Sequence, residues 1–232
     1  MQSRPTLADR LGASAGAAYI LLILVGNQLG NGGSQDPHPT GTTDLSAFAG
    51  HPSLMEQVGF RMEIAGFIAF MFFLGWMRHR VQQLGGAAAW LSDVAAVAGV
   101  VTLAVKLGSA APVLTGRLDH AELSPTLARV LSDLNGAAFV VTFLPYGTFL
   151  LAFGLAILAS GFLGRVAGWS GVVIGGLTVL APLASQVDPV STNVLPFLLG
   201  LLWLLAVAVR LAWRGPHQRS AANAAVRVPA TA

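Results

Sequence analysis

The sequence predicts an all-α fold, a polytopic transmembrane helix bundle of about six spans, and three observations carry that expectation. Of 232 residues, 54% are hydrophobic and only 10% are charged, where soluble domains carry roughly 25% charged residues. The mean hydropathy of +0.69 leaves too little polar material to cover a water-facing surface. Apolar runs of about 20 residues, the length a helix needs to cross ~30 Å of hydrocarbon, recur at 11–29, 58–77, 87–110, 136–160, 166–185 and 194–213.

The first run follows Arg4 and Arg10, as the apolar part of a signal peptide would. It is too long for one, and no Ala-x-Ala site follows before "GNGGSQDPHPTG", so an uncleaved helix is expected. The second and third runs are interrupted by full charges, taken up below. The fourth is preceded by Ser124 and Pro125, an N-cap and first-turn pair, which predicts a helix that begins well ahead of its apolar part. Pro145 and Gly147 in "FLPYGTF" predict a kink within it. In the fifth, Gly164, Gly168, Gly171 and Gly175 recur at helical spacing and predict one small face. Such a face lets another helix come close, either inside the bundle or as the seam of a homo-oligomer. Gly12 and Gly16 offer a similar pair in the first span.

Loop charges orient the bundle. With a cytoplasmic N-terminus, inner segments hold Arg4, Arg10, Arg78, Arg80, Arg165, Arg210, Arg214, Arg219 and Arg227, and outer segments only Arg117 and Arg129. Positive residues mark the cytoplasmic side, so both termini are expected there. Residues 1–215 then form one bundle, 31–57 form a long outer loop that could act as a lid, and 216–232 form a disordered cytoplasmic tail. Abundant Ala, Gly, Val and Arg with a single lysine, Lys106, suggest a bacterial chain, hence a bacterial cytoplasmic membrane protein.

Several function classes fall away. Without cysteine there is neither a disulfide nor a thiolate metal site. The arginines sit in short loops and the tail, which fits membrane orientation and not nucleic-acid binding. No phosphate loop, His-Glu-x-x-His or Gly-x-Ser-x-Gly occurs. The five histidines fit no metal spacing and avoid the apolar runs, so no metal and no cofactor is expected.

The intramembrane charges carry the functional signal. In "VGFRMEIAGFIAF", Arg61 and Glu63 lie two residues apart and point about 200° apart on a helix, so they cannot satisfy each other. Glu63 shares a face with Gly59 and Gly66, which predicts that it looks into the bundle, whereas Arg61 can snorkel outward along its stem. Lys106 lies near the outer end of the third span, where it can snorkel outward or form an ion pair with Glu63 or Asp133. Asp133 also has Arg129 four residues earlier on its own face. Asn27, Gln28 and Asn135 fall at the same outer level. Ionisable groups inside a membrane are costly and usually functional. Glu63 and Asp133 are the acid/base candidates, and Asn27, Gln28, Arg61, Lys106 and Asn135 the ligand-binding ones. Asp93, nearer the inner side, is expected to cap a neighbouring helix or pair with an inner arginine, with a proton-relay role as the alternative.

"RLGASAGAAYILLILVG", "VKLGSAAPVL" and "LNGAAFVVTFLPYGTFLLAFGLAIL" resemble segments of small six-helix bacterial membrane proteins of unknown function, which implies a multi-pass bundle and assigns no catalytic residue. Integral-membrane terpene cyclases offer a second comparison, in which Glu63 and Asp133 would be buried acids; no diagnostic motif supports it, and aromatics look concentrated in the second span. The expectation is an outward-facing polar pocket that binds or transports a small or amphiphilic molecule, with membrane lipids around it. The alternatives are an enzyme using a buried carboxylic acid on a lipid-like substrate, and an accessory membrane subunit.

Overall fold

The computed structural model describes residues 7–30, 53–118, 124–184 and 189–214. They form six helices: α1 (Leu7–Gly30), α2 (Leu54–Gln82), α3 (Gly86–Leu118), α4 (Pro125–Ser160), α5 (Arg165–Ala184) and α6 (Pro189–Arg214). Each contains a stretch long and apolar enough to cross a membrane. The greater part of the loop expected at 31–57, and the whole tail at 216–232, lie outside the described residues.

The helices start where local chemistry provides a start. α2 begins at Leu54 and not at 58, because Ser53 and Glu56 form a capping box: the Ser53 hydroxyl accepts from the Glu56 amide, and the Glu56 carboxylate accepts from the Ser53 amide at 2.6 Å. This reciprocal pairing satisfies two amides that would otherwise lack partners. α4 is capped by Ser124, whose hydroxyl accepts from the Leu127 amide, and it runs unbroken through Pro145. It ends at Gly161, with φ +70°, and the turn to α5 closes on Gly164, with φ +83°. Both positions demand the left-handed backbone that glycine tolerates best. Gly164 is therefore a turn residue ahead of α5, which corrects its assignment to the small helical face.

The remaining glycines of that face are used inside the chain. A methyl at Gly171 would run into the Trp203 indole of α6, one at Gly168 into the Leu158 side chain of α4, and one at Gly175 into the α4 backbone at Leu151. On α4, Gly147 and Gly154 receive the α5 backbone just as closely. α5 thus lies backbone to backbone on α4, and the glycine face is not free to serve as a seam between copies.

Pairwise contacts give the topology. Asp9 meets Arg80, Gly16 meets Phe73 and Gly26 meets Gly59, so α1 and α2 are antiparallel. Arg78 meets Asp93 and Gly99 meets Leu74, so α2 and α3 are as well. Each helix packs on its neighbour in sequence, α6 returns to α1, and α4 also reaches α6 across the ring. α4 is the most central: 61% of its span is buried, against 22% of α5's.

What the outer faces expose is apolar. Phe72 is 72% exposed, Trp169 59%, Val166 86% and Leu180 60%. Scattered apolar exposure is ordinary in soluble proteins, but here it covers whole helix faces, the arrangement of a multi-pass membrane protein whose solvent is lipid.

Candidate functional site

Because the helices alternate, the bundle has two ends. The near end is where α1, α3 and α5 begin; the far end is where they finish. Each end carries a layer of charged side chains, and a column of aromatic rings connects them.

The near layer is joined by direct ion pairs, although the Arg80 Nε is buried without a hydrogen-bond partner among the described residues. Asp9 of α1, 5% exposed, forms an ion pair with Arg80 of α2 at 2.7 Å. The Trp76 indole N–H also reaches Asp9, at 3.4 Å. Asp93 of α3 accepts from Arg78 at 2.6 Å and from Gln82 at 2.7 Å, as expected for an acid near an inner arginine. At the C-terminal end of α2, Gln83 accepts from Arg80 at 3.2 Å and bonds the His79 ring at 2.9 Å, both local contacts on the same helix. Beside Arg80, a shallow open crevice runs between α2, the end of α4 and α6, walled by Trp76, Phe153, Phe162 and Leu211.

The aromatic column fills the middle. Tyr19 stacks on Phe70 with centroids 4.3 Å apart, and Phe70 meets Phe149 edge-on at 5.4 Å. Phe149 continues to Phe153, Phe153 to Trp203, and Phe73 to Trp76. Toward the far end, Tyr146, Phe197, Phe143 and Phe139 continue the contact. α4 supplies five of these rings, so the expected concentration of aromatics in the second span does not describe the core. Tyr146 is fully buried, and among the described residues its hydroxyl has no hydrogen-bond partner; it sits against Gly200.

The far layer is built differently. Gly26 of α1 and Gly59 of α2 bring their backbones into contact, since a methyl at Gly26 would lie 2.8 Å from the Gly59 carbonyl oxygen and 3.0 Å from Cγ of Glu63. The Glu63 stem therefore lies along α1, half-buried. Gly66, one turn on, takes Leu22 and Ile23 of α1. Opposite, on α3, Lys106 is also half-buried. Its ammonium lies 4.9 Å from the centre of the Phe139 ring of α4, a cation–π contact. The contacts of Glu63 are thus to α1 and that of the Lys106 ammonium is to α4, and no direct ion pair closes between the two.

Of the seven residues selected from the sequence, Glu63 and Lys106 are half-buried at the far end, on α2 and α3, without an ion pair between them. Arg61 is exposed on the other side of α2, and Asn27, Gln28 and Asp133 are exposed, while Asn135 is half-buried. Asp133 forms no ion pair with Lys106, nor with Arg129, the partner its helical spacing offers.

Sequence reasoning passed over Asp9. The signal was present: Asp9, Ala13, Gly16 and Ile20 recur at helical spacing and are the buried face of α1. Among the described residues no group of histidine, aspartate and glutamate is placed to hold a metal ion.

Compared with known proteins, no family model matches the chain, and neither a curated protein nor a solved structure matches it. The class that the fold defines is therefore the broad one, a helical bundle with six helices able to span a membrane.

Proposed function

We propose that this protein binds a small or amphiphilic molecule in an intramembrane site at the far end, between α2 and α3, with Glu63 and Lys106 as its polar groups. The observation that carries this reading is the contrast within one molecule: the near-layer acids are bonded directly to arginines, while Glu63 and Lys106, half-buried at the far end, form no ion pair. A charge held inside a membrane costs several kcal/mol, of order 3 or more, unless something compensates it. Near-layer charges find that compensation within the protein; for the far layer, a bound polar group can supply it.

Binding at the seam is favoured over passage through the middle, because Tyr146, Phe149, Phe153 and Phe70 are completely buried and fill the bundle centre. On this reading the chain resides in a bacterial cytoplasmic membrane with both termini inside. The arginines at the near end, Arg10, Arg78, Arg80, Arg165, Arg210 and Arg214, against Arg61, Arg117 and Arg129 at the far end, support that orientation. The site then opens outward.

The test is native mass spectrometry with lipid analysis on detergent-purified protein, alongside Glu63→Gln. A specific amphiphile retained by the wild type and lost from the variant supports the site. Only bulk lipid from both would refute it and would favour a structural or accessory role.

A further inference from the structure

Three neighbouring helices each lose a backbone hydrogen bond at one level of the bundle. Proline has no amide hydrogen, so Pro145 of α4, Pro182 of α5 and Pro196 of α6 deprive the carbonyls of Val141, Thr178 and Thr192 of the bond a helix normally supplies. Contacts between the helices put these prolines side by side. Tyr146 and Phe197, each the residue after a proline, meet with ring centroids 5.1 Å apart. A methyl at Gly147 would lie 2.8 Å from the Val179 amide nitrogen. Pro182 follows Val179 by three residues, about 4.5 Å toward the far end along a helix axis. Because α5 runs opposite to α4, that step brings Pro182 level with Leu144 and Pro145. α1 and α2 contain no proline. Pro112 of α3 lies farther out, beyond Lys106, whose ammonium meets Phe139 on the outer side of Pro145.

We propose that this level is a hinge, on which the outer arm of α4, residues 125–144, swings away from α6 and opens the far end of the bundle down to Tyr146.

What the arm carries and what it covers both fit a gate. Phe139 and Phe143 of the arm pack on Phe197 of α6 at 5.8 Å and 5.4 Å, so the closing contacts cross from arm to body at the hinge itself. On its flexible stem, Lys106 can follow Phe139 as the arm moves. Beneath these rings the Tyr146 hydroxyl is fully buried, with no hydrogen-bond partner among the described residues. An unbonded buried hydroxyl disfavours the closed packing, and water admitted past Phe143 would satisfy it. The two arrangements are thereby brought closer in free energy, as a two-state element requires. Below Tyr146 that bias is absent: Phe149, Phe153 and Phe70 are apolar and fully buried, so the opening stops there.

The chain has no cysteine, so a pair of spin labels can be placed without removing any residue of its own. Val130→Cys on the arm, 54% exposed, and Val166→Cys at the start of α5, 86% exposed, are labelled in the full chain in nanodiscs, and the distance distribution is read by pulsed electron spin resonance. The otherwise native chain is expected to show two arm-to-body distances. Pro145→Ala restores the missing amide and should leave only the closed one. Tyr146→Phe keeps the prolines and the ring contacts, and should enrich the closed distance about fivefold or more, the effect of one unbonded buried hydroxyl. Pro112→Ala, off the level, should leave both populations in place. A label pair within the near end, Val166→Cys with Trp213→Cys, should give one distance throughout. A single arm-to-body distance in the otherwise native chain would overturn the proposal. Two distances unmoved by Pro145→Ala would put the motion elsewhere and overturn the hinge. Populations unmoved by Tyr146→Phe would overturn the part given to the hydroxyl.

Discussion

The two charged layers use the same kinds of residue in opposite ways. At the near end, Asp9 is 5% exposed and bonded to both Arg80 and Trp76, so three side chains form one closed unit tying α1 to α2. At the far end, Glu63 and Lys106 are each held by apolar or aromatic neighbours, Gly26 on one side and Phe139 on the other, with their charged ends left apart. The difference teaches that an intramembrane charge becomes informative through its partners. A charge satisfied inside the chain reads as architecture, and one held in place but left unbonded reads as available.

Breaking the closed unit should have the largest effect. Asp9→Ala leaves Arg80, its side chain 24% exposed, without its carboxylate; removing one member of a fully buried pair costs about 3–5 kcal/mol, and the partial exposure of Arg80 puts the loss below that. Thermal unfolding of the detergent-solubilised protein should show a clearly lowered Tm. An unchanged Tm would mean that the near layer is as open as the far one.

Between the layers, Tyr146→Phe sharpens the scale. Its hydroxyl is buried without a partner among the described residues, and an unsatisfied polar group costs ~1–3 kcal/mol. The substitution keeps the ring contacts and removes that cost, so Tm should rise. A fall would show that the hydroxyl has a partner that matters.

Asp93→Asn should matter less than Asp9→Ala. The Arg78–Asp93 pair is about half exposed, at 52% and 46%, and such pairs contribute only about 0–1 kcal/mol. Chemical denaturation should find a loss of that size or smaller. A loss matching that of Asp9→Ala would place both near-layer pairs in one cooperative network.

The smallest change in stability is expected for Glu63→Gln, because no direct bond is lost. Its Tm in detergent should stay close to wild type while ligand retention falls. If it unfolded as readily as Asp9→Ala, the contrast between the two layers would collapse and Glu63 would be structural.

The fold was legible because bilayer thickness imposes a length on every span, and six apolar runs of that length are visible without any tertiary knowledge. Boundaries followed finer chemistry. The Ser53–Glu56 capping box is written plainly in "SLME", but it precedes the apolar run, so a hydropathy reading starts α2 too late. Gly164 has the correct spacing for the small face, yet its positive φ comes from the tight turn that joins α4 to α5, which spacing alone does not reveal. In the candidate site, depth and helix direction put Glu63 and Lys106 at one level, but the ion pair offered for Lys106 with Glu63 or Asp133 does not form. Asp133 could not be resolved in that way, since a similar depth says nothing about which side of α4 faces the seam. Asp9 escaped because an acid between Arg4 and Arg10 looks like an ordinary interfacial flank; its burial depends on how closely α1 lies against α2. The aromatic column is the least legible part, because its rings come from α1, α2, α4 and α6 and meet only after packing.

The glycine contacts between α4 and α5 also bear on how the chain enters the bilayer. The α5 span has the lowest mean hydropathy of the six, 1.2 over 18 residues, against 1.9 for α4. Partitioning into lipid therefore favours α5 least. During synthesis α4 emerges first, and the short Gly161–Gly164 turn then delivers α5 directly onto it. Close contact at Gly147, Gly154 and Gly175 supplies by packing what α5 lacks in apolar drive. In a bilayer, the α4–α5 hairpin would gain from this packing what α5 alone lacks.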